Sequence, residues 1–383
     1  MSAAGHLRAY VGADIFDGKQ VLKGHALVIE QNRPALMESR NIPAGTLITT
    51  LKGGTFMPGF VDLQVNGGGG VLFNDAPDLA TLNRIAQAHN ALGTRHFLPT
   101  LITDTPAQTS AAITAAVAAI AAGVPGIAGL HLEGPHLSVA RKGAHDGTLI
   151  RPMEDADCAE LVAAADKLPN LLLTVAPESV TAAQITALSQ AGAIVFLGHS
   201  NADYETAKSA FAAGARGSTH LFNAMSQFTS REPGLVGATL ESADAAAGVI
   251  ADGIHVHPAT IRIALAAKEG PADVFLVSDA MACAGSDITS FKLGGRDIYR
   301  NKGRLTLADG TLAGADLSLA QALGVMIREV GDDPARAFAR ATSLPASLLR
   351  NPDGAGSWPA DVDGLIYLTA NFDLHPIAEL NPV

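Results

Sequence analysis

The sequence predicts an α/β fold: a (β/α)8 TIM-like barrel with a small discontinuous β domain. Two observations carry the barrel. Between Pro58 and Leu344 there are eight short apolar, strand-like runs, most of them followed by a segment of helical period and composition. In addition, Glu133, His199, His220, His255 and Asp279 each follow one of these runs directly, so chemically capable side chains recur at strand ends that are far apart in sequence. A β/α barrel gathers such positions on one rim. A third observation fits the same fold: 48% of the 383 residues are hydrophobic and 16% charged, with few aromatics, which suits Ala- and Gly-rich helices packed closely on a central sheet.

Taken in order, residues 1–57 hold short alternating β runs, Ala26–Glu30 and Thr46–Thr50 among them, separated by Gly/Pro turns and without a convincing helix. The eight barrel runs are Gly59–Val65, Thr94–Leu98, Ile127–Leu132, Leu171–Val175, Ile194–Leu197, Ala215–Thr219, Ala247–Ala251 and Val274–Val277. Helices are predicted over Asp78–Leu92, Thr105–Ala122, Asp155–Lys167, Thr181–Ala191, Asp203–Ala213 and Pro258–Glu269. The connection Phe222–Gly237, with Pro233 and two glycines, reads as an extended loop on the rim, where loops often carry substrate contacts. After the eighth run, Phe291–Leu312 has turn signals at Gly294-Gly295 and Asp309-Gly310 and reads as an inserted hairpin. The tail from about Leu348, including Gly364–Thr369, is again strand-like. The predicted organisation is therefore a barrel over residues 58–347 and a β domain assembled from residues 1–57 and 348–383.

A formal net charge of -11 without any Lys/Arg run argues against nucleic acid and membrane surfaces as partners, since both call for a basic footprint. An anionic substrate then needs a local cation. Cys158 and Cys283 are too few and too scattered for a disulfide framework or a thiolate metal site, so both read as packing residues in a reducing compartment. Met1 to Tyr10 lack an apolar core of signal-peptide length, and no run approaches a membrane span. These features predict a cytoplasmic protein.

The rim residues suggest metal chemistry. Glu133 in His131-Leu-Glu-Gly-Pro, His199 in Leu197-Gly-His-Ser and His220 in Ser218-Thr-His-Leu offer one carboxylate and two imidazoles. Any one alone reads as an ordinary polar residue; together at strand ends they read as a catalytic site with three protein ligands and an open fourth position. Asp279 closes the eighth run in Leu276-Val-Ser-Asp-Ala, where a carboxylate opposite the metal can take a proton from water and pass it to a leaving nitrogen. A capping hydrogen bond explains Asp279 alone equally well. Gln64 and Asn66 stand where many barrel metallohydrolases carry a His-x-His pair, and amides are weaker zinc ligands than imidazole. The fourth run ends in Val175-Ala-Pro-Glu without a lysine. One divalent ion per chain is expected, with the second-metal position at Gln64 and Asn66 vacant. Gly67 to Gly70 lack the Lys-Ser/Thr of a phosphate-binding P-loop and read as a turn beside the site.

Several stretches carry a family resemblance: Met57-Pro-Gly-Phe-Val-Asp-Leu-Gln-Val-Asn-Gly, His131-Leu-Glu-Gly-Pro, Lys142-Gly-Ala-His145, Leu197-Gly-His-Ser, Thr219-His-Leu-Phe-Asn-Ala-Met, Arg231-Glu-Pro-Gly-Leu, Ala251-Asp-Gly-Ile-His255 and Ser278-Asp-Ala. In order, and over nearly the whole chain, they resemble the N-acetylglucosamine-6-phosphate deacetylase family of the amidohydrolase superfamily. The resemblance implies a barrel of the amidohydrolase type. The implied reaction is hydrolysis of the acetamide of N-acetyl-D-glucosamine 6-phosphate to glucosamine 6-phosphate and acetate. It also implies metal ligation by Glu133, His199 and His220, acid–base catalysis by Asp279, and polarisation of the acetyl carbonyl by His145. His255, Asn223, the backbone at Ala224, and Arg231 are implied to bind substrate, with Arg231 supplied across a homodimer interface. The ion is expected to be Zn2+, although Fe2+, Co2+ and Mn2+ suit the same ligands. His257 beside His255 mimics a metal pair and reads instead as a helix start before Pro258.

Two departures limit the match. The tail Gly356-Ser-Trp-Pro-Ala-Asp-Val-Asp-Gly-Leu-Ile lacks the family's usual Gly-Lys-x-Ala-Asp, and His136-Leu-Ser-Val-Ala-Arg141 is not diagnostic of a particular sugar. Three other functions stay open. They are deacetylation of N-acetylgalactosamine 6-phosphate, another N-acyl amidohydrolase activity with Arg231 holding a carboxylate, and a non-catalytic sugar-phosphate-binding protein.

Overall fold

A computed structural model describes residues 7–380; of the sequence expectations, the absence of a leader in Met1 to Tyr10 and the far ends of the β domain lie partly outside that range. Eight parallel strands form one sheet: β1 (Phe60–Val65), β2 (Thr94–Ile102), β3 (Leu130–Glu133), β4 (Leu171–Val175), β5 (Ile194–Leu197), β6 (Gly217–Ser218), β7 (Ala246–Val249) and β8 (Val274–Leu276). Each pairs with its sequence neighbour. The sheet closes just beyond β8, where Ala280 bridges Val65, Asp279 N donates to Gln64 O (3.1 Å) and Asn66 N donates to Ala280 O (2.9 Å). The closing bonds therefore run through Asp279 itself and the residue after it.

The helices α1 (Leu79–Ala91), α2 (Pro106–Ala121), α3 (Asp155–Lys167), α4 (Ala182–Gln190), α5 (Tyr204–Ala212), α6 (Gly234–Glu241), α7 (Pro258–Ala267) and α8 (Leu319–Val325) follow the eight strands in turn. Their starts are written locally. Asp78, Thr105 and Asp203 accept the N–H three residues on, Thr181 and Gln184 form a reciprocal box, and Pro106 and Pro258 occupy first-turn positions. The connection after β6 is irregular over residues 222–233 as expected, but the helix Gly234–Glu241 begins inside the segment read as loop and corrects its end. Its apolar face, Leu235 and Val236 included, is buried, so packing overrides the Gly/Pro signals. Strand β6 is shorter than expected. A Cβ on Gly217 would lie 2.4 Å from Ala246 O and 2.9 Å from the Phe196 ring, so only glycine lets β5, β6 and β7 come this close.

Two further sheets use the chain ends. One orders Leu374–His375, Leu365–Leu368, Thr55–Pro58, Asp14–Phe16 and Val21–Leu22; the other orders Arg33–Glu38, His25–Glu30, Arg8–Val11 and Leu47–Thr50. The Tyr10, Phe56 and Tyr367 rings pack at tilted angles, with centroids 5.7 and 4.9 Å apart, in a core separate from the barrel's. The insertion after β8 is larger than a hairpin. Ser290–Leu293, Arg296–Asn301, Arg304–Thr306 and Leu312–Ala315 make a four-stranded antiparallel sheet. The missed turn is Lys302-Gly303, both at positive φ. This sheet is tied to the rim where Ala315 N donates to Asp279 O (2.9 Å). Among the described residues both cysteines are free, and no helix is long and apolar enough to cross a membrane.

Candidate active site

The carboxyl ends of β3, β5, β6 and β8 deliver four buried groups to one point. His220 Nε2 lies 3.0 Å from Glu133 Oε1 and 3.1 Å from His199 Nε2, and His199 Nε2 lies 3.3 Å from the same Glu133 oxygen. His199, His220 and Asp279 all have positive φ, at 46°, 31° and 50°. Such backbone is costly for residues with a Cβ. It ends each strand with a turn, and the surrounding strand pairing holds it there.

Hydrogen bonding fixes which nitrogens carry protons. His199 Nδ1 is 2.9 Å from Arg141 O, and a carbonyl only accepts, so Nδ1 holds the proton and Nε2 presents a lone pair. His145 is the reverse: Thr103 N–H donates to its Nδ1 (3.4 Å), with Thr103 Oγ1 2.8 Å away, which leaves the proton on Nε2. Glu133, His145 and His199 together meet the geometry of a metal cluster, and His220 shares the same Glu133 oxygen. With its Nε2–H 3.8 Å from Glu133 Oε2, His145 is a donor at the edge of the cluster, so Glu133, His199 and His220 fit the ion better. Glu133 Oε1 and the Nε2 atoms of His199 and His220 lie within 3.3 Å of one another, one carboxylate and two imidazoles of the kind that hold a cation.

The electrostatics agree. Burial alone raises the Glu133 carboxyl, but the His199 and His220 imidazoles set against it hold it well below the usual carboxylate range. Burial pushes His145 down to about 3, so it is neutral. Asp279 is raised to about 6, first by burial and then by the Glu133 charge.

The Gln64 and Asn66 amides are engaged with the carboxylates of the site. Gln64 Nε2 donates to Glu133 Oε1 (3.1 Å) and Asp279 Oδ1 (3.2 Å), and Asn66 Nδ2 donates to Asp279 Oδ1 (2.7 Å). The two amides thus separate and partly neutralise carboxylates that would otherwise repel. Beneath them, buried Asp62 accepts from the N–H groups of Gln64 (3.2 Å) and Ser278 (3.2 Å), fixing the backbone that leads to Asp279.

Above this floor is a cavity of about 390 Å3. Glu133, His145, His199, His220, Asp279 and Asn66 line its base; Asn223, Ala224 and His255 line one wall; Leu293 and Thr311 to Gly314 from the inserted sheet contribute to another. Arg231 is exposed and does not line it. His257 caps α7, accepting from Ala259 N (3.1 Å), as the sequence suggested. The sequence reading missed three supports. Asp252 Oδ2 accepts from His255 Nδ1 (2.6 Å), and the i, i+3 spacing in Ala251-Asp-Gly-Ile-His255 was the available signal. Thr103 beside His145, and Arg141 beside His199, had no signal, because only the fold brings them there.

A metal-capable carboxylate–histidine cluster on the carboxyl rim of a (β/α)8 barrel, with an aspartate beside it just after the last strand, defines the class of protein. The chain belongs to the Amidohydrolase family, whose match spans residues 55–358. Among its relatives, the N-acetylgalactosamine-6-phosphate deacetylase of Shewanella sp. (strain ANA-3) is 45% identical over 302 residues, covering 79% of this chain and 76% of that protein. The N-acetylglucosamine-6-phosphate deacetylase of Haemophilus influenzae is 34% identical over 353 residues, 91% of each chain. The crystal structure of N-acetylglucosamine-6-phosphate deacetylase from Pasteurella multocida superimposes with a TM-score of 0.88 at 34% identity, covering 96% of this chain and 97% of that one.

Proposed function

We propose that this chain is a metal-dependent deacetylase that hydrolyses the acetamide of N-acetyl-D-glucosamine 6-phosphate to glucosamine 6-phosphate and acetate. The observation that carries the reading is that one amide, Gln64 Nε2, bridges Glu133 and Asp279, so the ligand cluster and a carboxyl raised to about 6 stand two hydrogen bonds apart. Glu133, His199 and His220 would hold a divalent ion, which would supply Lewis acidity for the hydrolysis. Asp279 takes the proton of the attacking water and delivers it to the amide nitrogen as the C–N bond breaks and the new C–O bond makes acetate. His145, protonated on Nε2, donates to the acetyl oxygen. His255, oriented by Asp252, holds a sugar hydroxyl, and Asn223 with the Ala224 N–H receives the phosphate. Arg231, outside the cavity of its own chain, acts across a homodimer interface.

In this reading the ion is one Zn2+ per subunit, the site lies in the barrel of residues 58–347, and the β domain of residues 1–57 and 348–383 is a separate support. The enzyme acts in the cytoplasm, in amino-sugar catabolism. A second reading has a specific basis: the 45% identical relative is named for the galactose epimer, so N-acetylgalactosamine 6-phosphate is the alternative substrate. Purified protein assayed for acetate release from both 6-phosphates, with metal content measured before and after chelation, tests all of this. About one ion per chain is expected, with activity lost on chelation and regained with Zn2+. Release of acetate from neither sugar phosphate would overturn the reading, and two tightly held ions per site would overturn the mononuclear assignment.

A further inference from the structure

The proposed substrate brings a phosphate into a cavity whose floor carries Glu133 and Asp279, in a chain of net charge -11. Arg231 stands outside that cavity, so within one subunit the phosphate has only the metal-site charge to offset these carboxylates unless another cation lines the wall. Among the described residues lining the cavity, Arg141 is the one arginine or lysine. It ends the short turn Val139–Arg141 in the loop after β3.

Three features prepare its side chain to receive an anion. Its Nε donates to Asn201 Oδ1 (2.8 Å), which fixes the guanidinium plane and leaves both Nη groups without a hydrogen bond or ion pair among the described residues. The nearby acid Glu178 is already engaged by Ser200 Oγ (2.7 Å) and Asn201 N (2.5 Å). The Ser200–Asn201 segment that holds Arg141 also pairs with the next rim loop: Ser200 bridges Met225, and Ser226 N donates to Ser200 O (3.0 Å). Immediately before Met225 come Asn223 and Ala224, both lining the cavity. Ala224 has φ +50°, and its N–H has no acceptor among the described residues. Phe222 is left-handed as well, at +75°. Strained backbone with a free N–H and a guanidinium with free N–H groups, both lining one cavity, are the chemistry of an oxyanion cradle.

We propose that Arg141 is a substrate-binding residue that grips the phosphate from within the same subunit, with Asn201 as its positioning residue. The inference rests on the sugar-phosphate reading above and sharpens it: discrimination for the phosphorylated sugar does not depend on a second subunit alone. The main-chain carbonyl of Arg141 receives His199 Nδ1–H and is untouched by side-chain substitution, so the metal cluster and the phosphate grip are separable.

The test compares wild type, Arg141→Met and Arg141→Lys, loaded with Zn2+, on the preferred N-acetylhexosamine 6-phosphate and on unphosphorylated N-acetylglucosamine. Arg141→Met should lower kcat/KM on the phosphate ester by roughly 30-fold or more, mainly through KM, and leave the unphosphorylated sugar within a few-fold of wild type. Arg141→Lys should recover part of the loss, because it restores the charge without the fork. Metal content and thermal midpoint should not change. Inorganic phosphate, titrated into the Zn2+-loaded protein by calorimetry, should bind more weakly to Arg141→Met. Equal losses on both sugars, or unchanged phosphate binding, would overturn the proposal. If wild type deacetylates no sugar phosphate, the functional reading fails on its own, and the phosphate titration still decides whether Arg141 binds an oxyanion.

Discussion

Strand β8 has a charge cluster at each end, half-buried before it and buried after it, and the two are built on opposite principles. Before the strand, Asp273 accepts from Arg340 Nη1 (2.7 Å) and is paired with Arg336, while Arg340 also donates through Nε to Asp332 (2.7 Å) and through Nη1 to Val274 O (2.6 Å). Charges alternate, and Asp273, which burial alone would raise, is held below its ordinary value mainly by Arg340. After the strand, Asp279 faces Glu133 with only the Gln64 and Asn66 amides between them, stands on left-handed backbone, and is raised to about 6. One barrel thus uses buried charge as a fastening at the amino ends of its strands and keeps it unbalanced at the carboxyl ends. Unbalanced charge is what an ion and a titrating acid–base group require.

The largest expected effect attacks the unbalanced end. Asp279→Asn keeps the volume and removes the titrating group, so turnover should fall by about 10^2–10^4. The amide also relieves repulsion with Glu133, so the bound metal and the unfolding midpoint should be retained or raised. Elemental analysis of the variant decides the matter: loss of the ion would make Asp279 a ligand and dissolve the distinction drawn between it and Glu133.

The fastened end should respond in the opposite way. Arg340→Met leaves the half-buried Asp332 without a guanidinium and Asp273 with Arg336 alone, and should cost on the order of 2 kcal/mol of stability. Urea unfolding measures that loss, while protein that remains folded should keep its metal and its kcat. A large fall in kcat at unchanged stability would mean that the two ends are coupled through β8 rather than independent.

Much of this was legible in the sequence, for reasons that differ by residue. Glu133, His199, His220 and Asp279 stood out because each directly follows an apolar run, and strand order alone places such residues on one rim. Leu171–Val175, Ile194–Leu197 and Asp155–Lys167 were readable to the residue, since local propensity and packing agree there. The α6 helix and the four-stranded insertion were not, because burial of Leu235 and Val236 and the Lys302-Gly303 turn outweigh the local pattern. Arg141, Thr103 and the engagement of the Gln64 and Asn66 amides depend on contacts between residues far apart in the chain. No local period announces them, and they are also the groups that set protons and charge around the ligands.

Between the two ends lies a third way of handling a buried titratable group, and it gives the smallest expected effect. His89 on α1 is buried, stacks on Phe97, and donates from Nε2 to Gly67 O (2.9 Å) in the turn beside the site. Here charge is neither paired nor kept but excluded: burial pushes the imidazole down to about 4. Because the folded value lies below the unfolded one of about 6.5, the unfolded chain binds the extra proton in the window between them. Stability from this residue is therefore present above pH 6.5 and is lost as pH falls toward about 4, by at most on the order of 3 kcal/mol. His89→Gln keeps a donor for Gly67 O without titrating, so urea unfolding of the variant should show a shallower loss across that window than wild type. Identical slopes for the two proteins would move the acid sensitivity of the fold elsewhere and leave His89 a packing residue only.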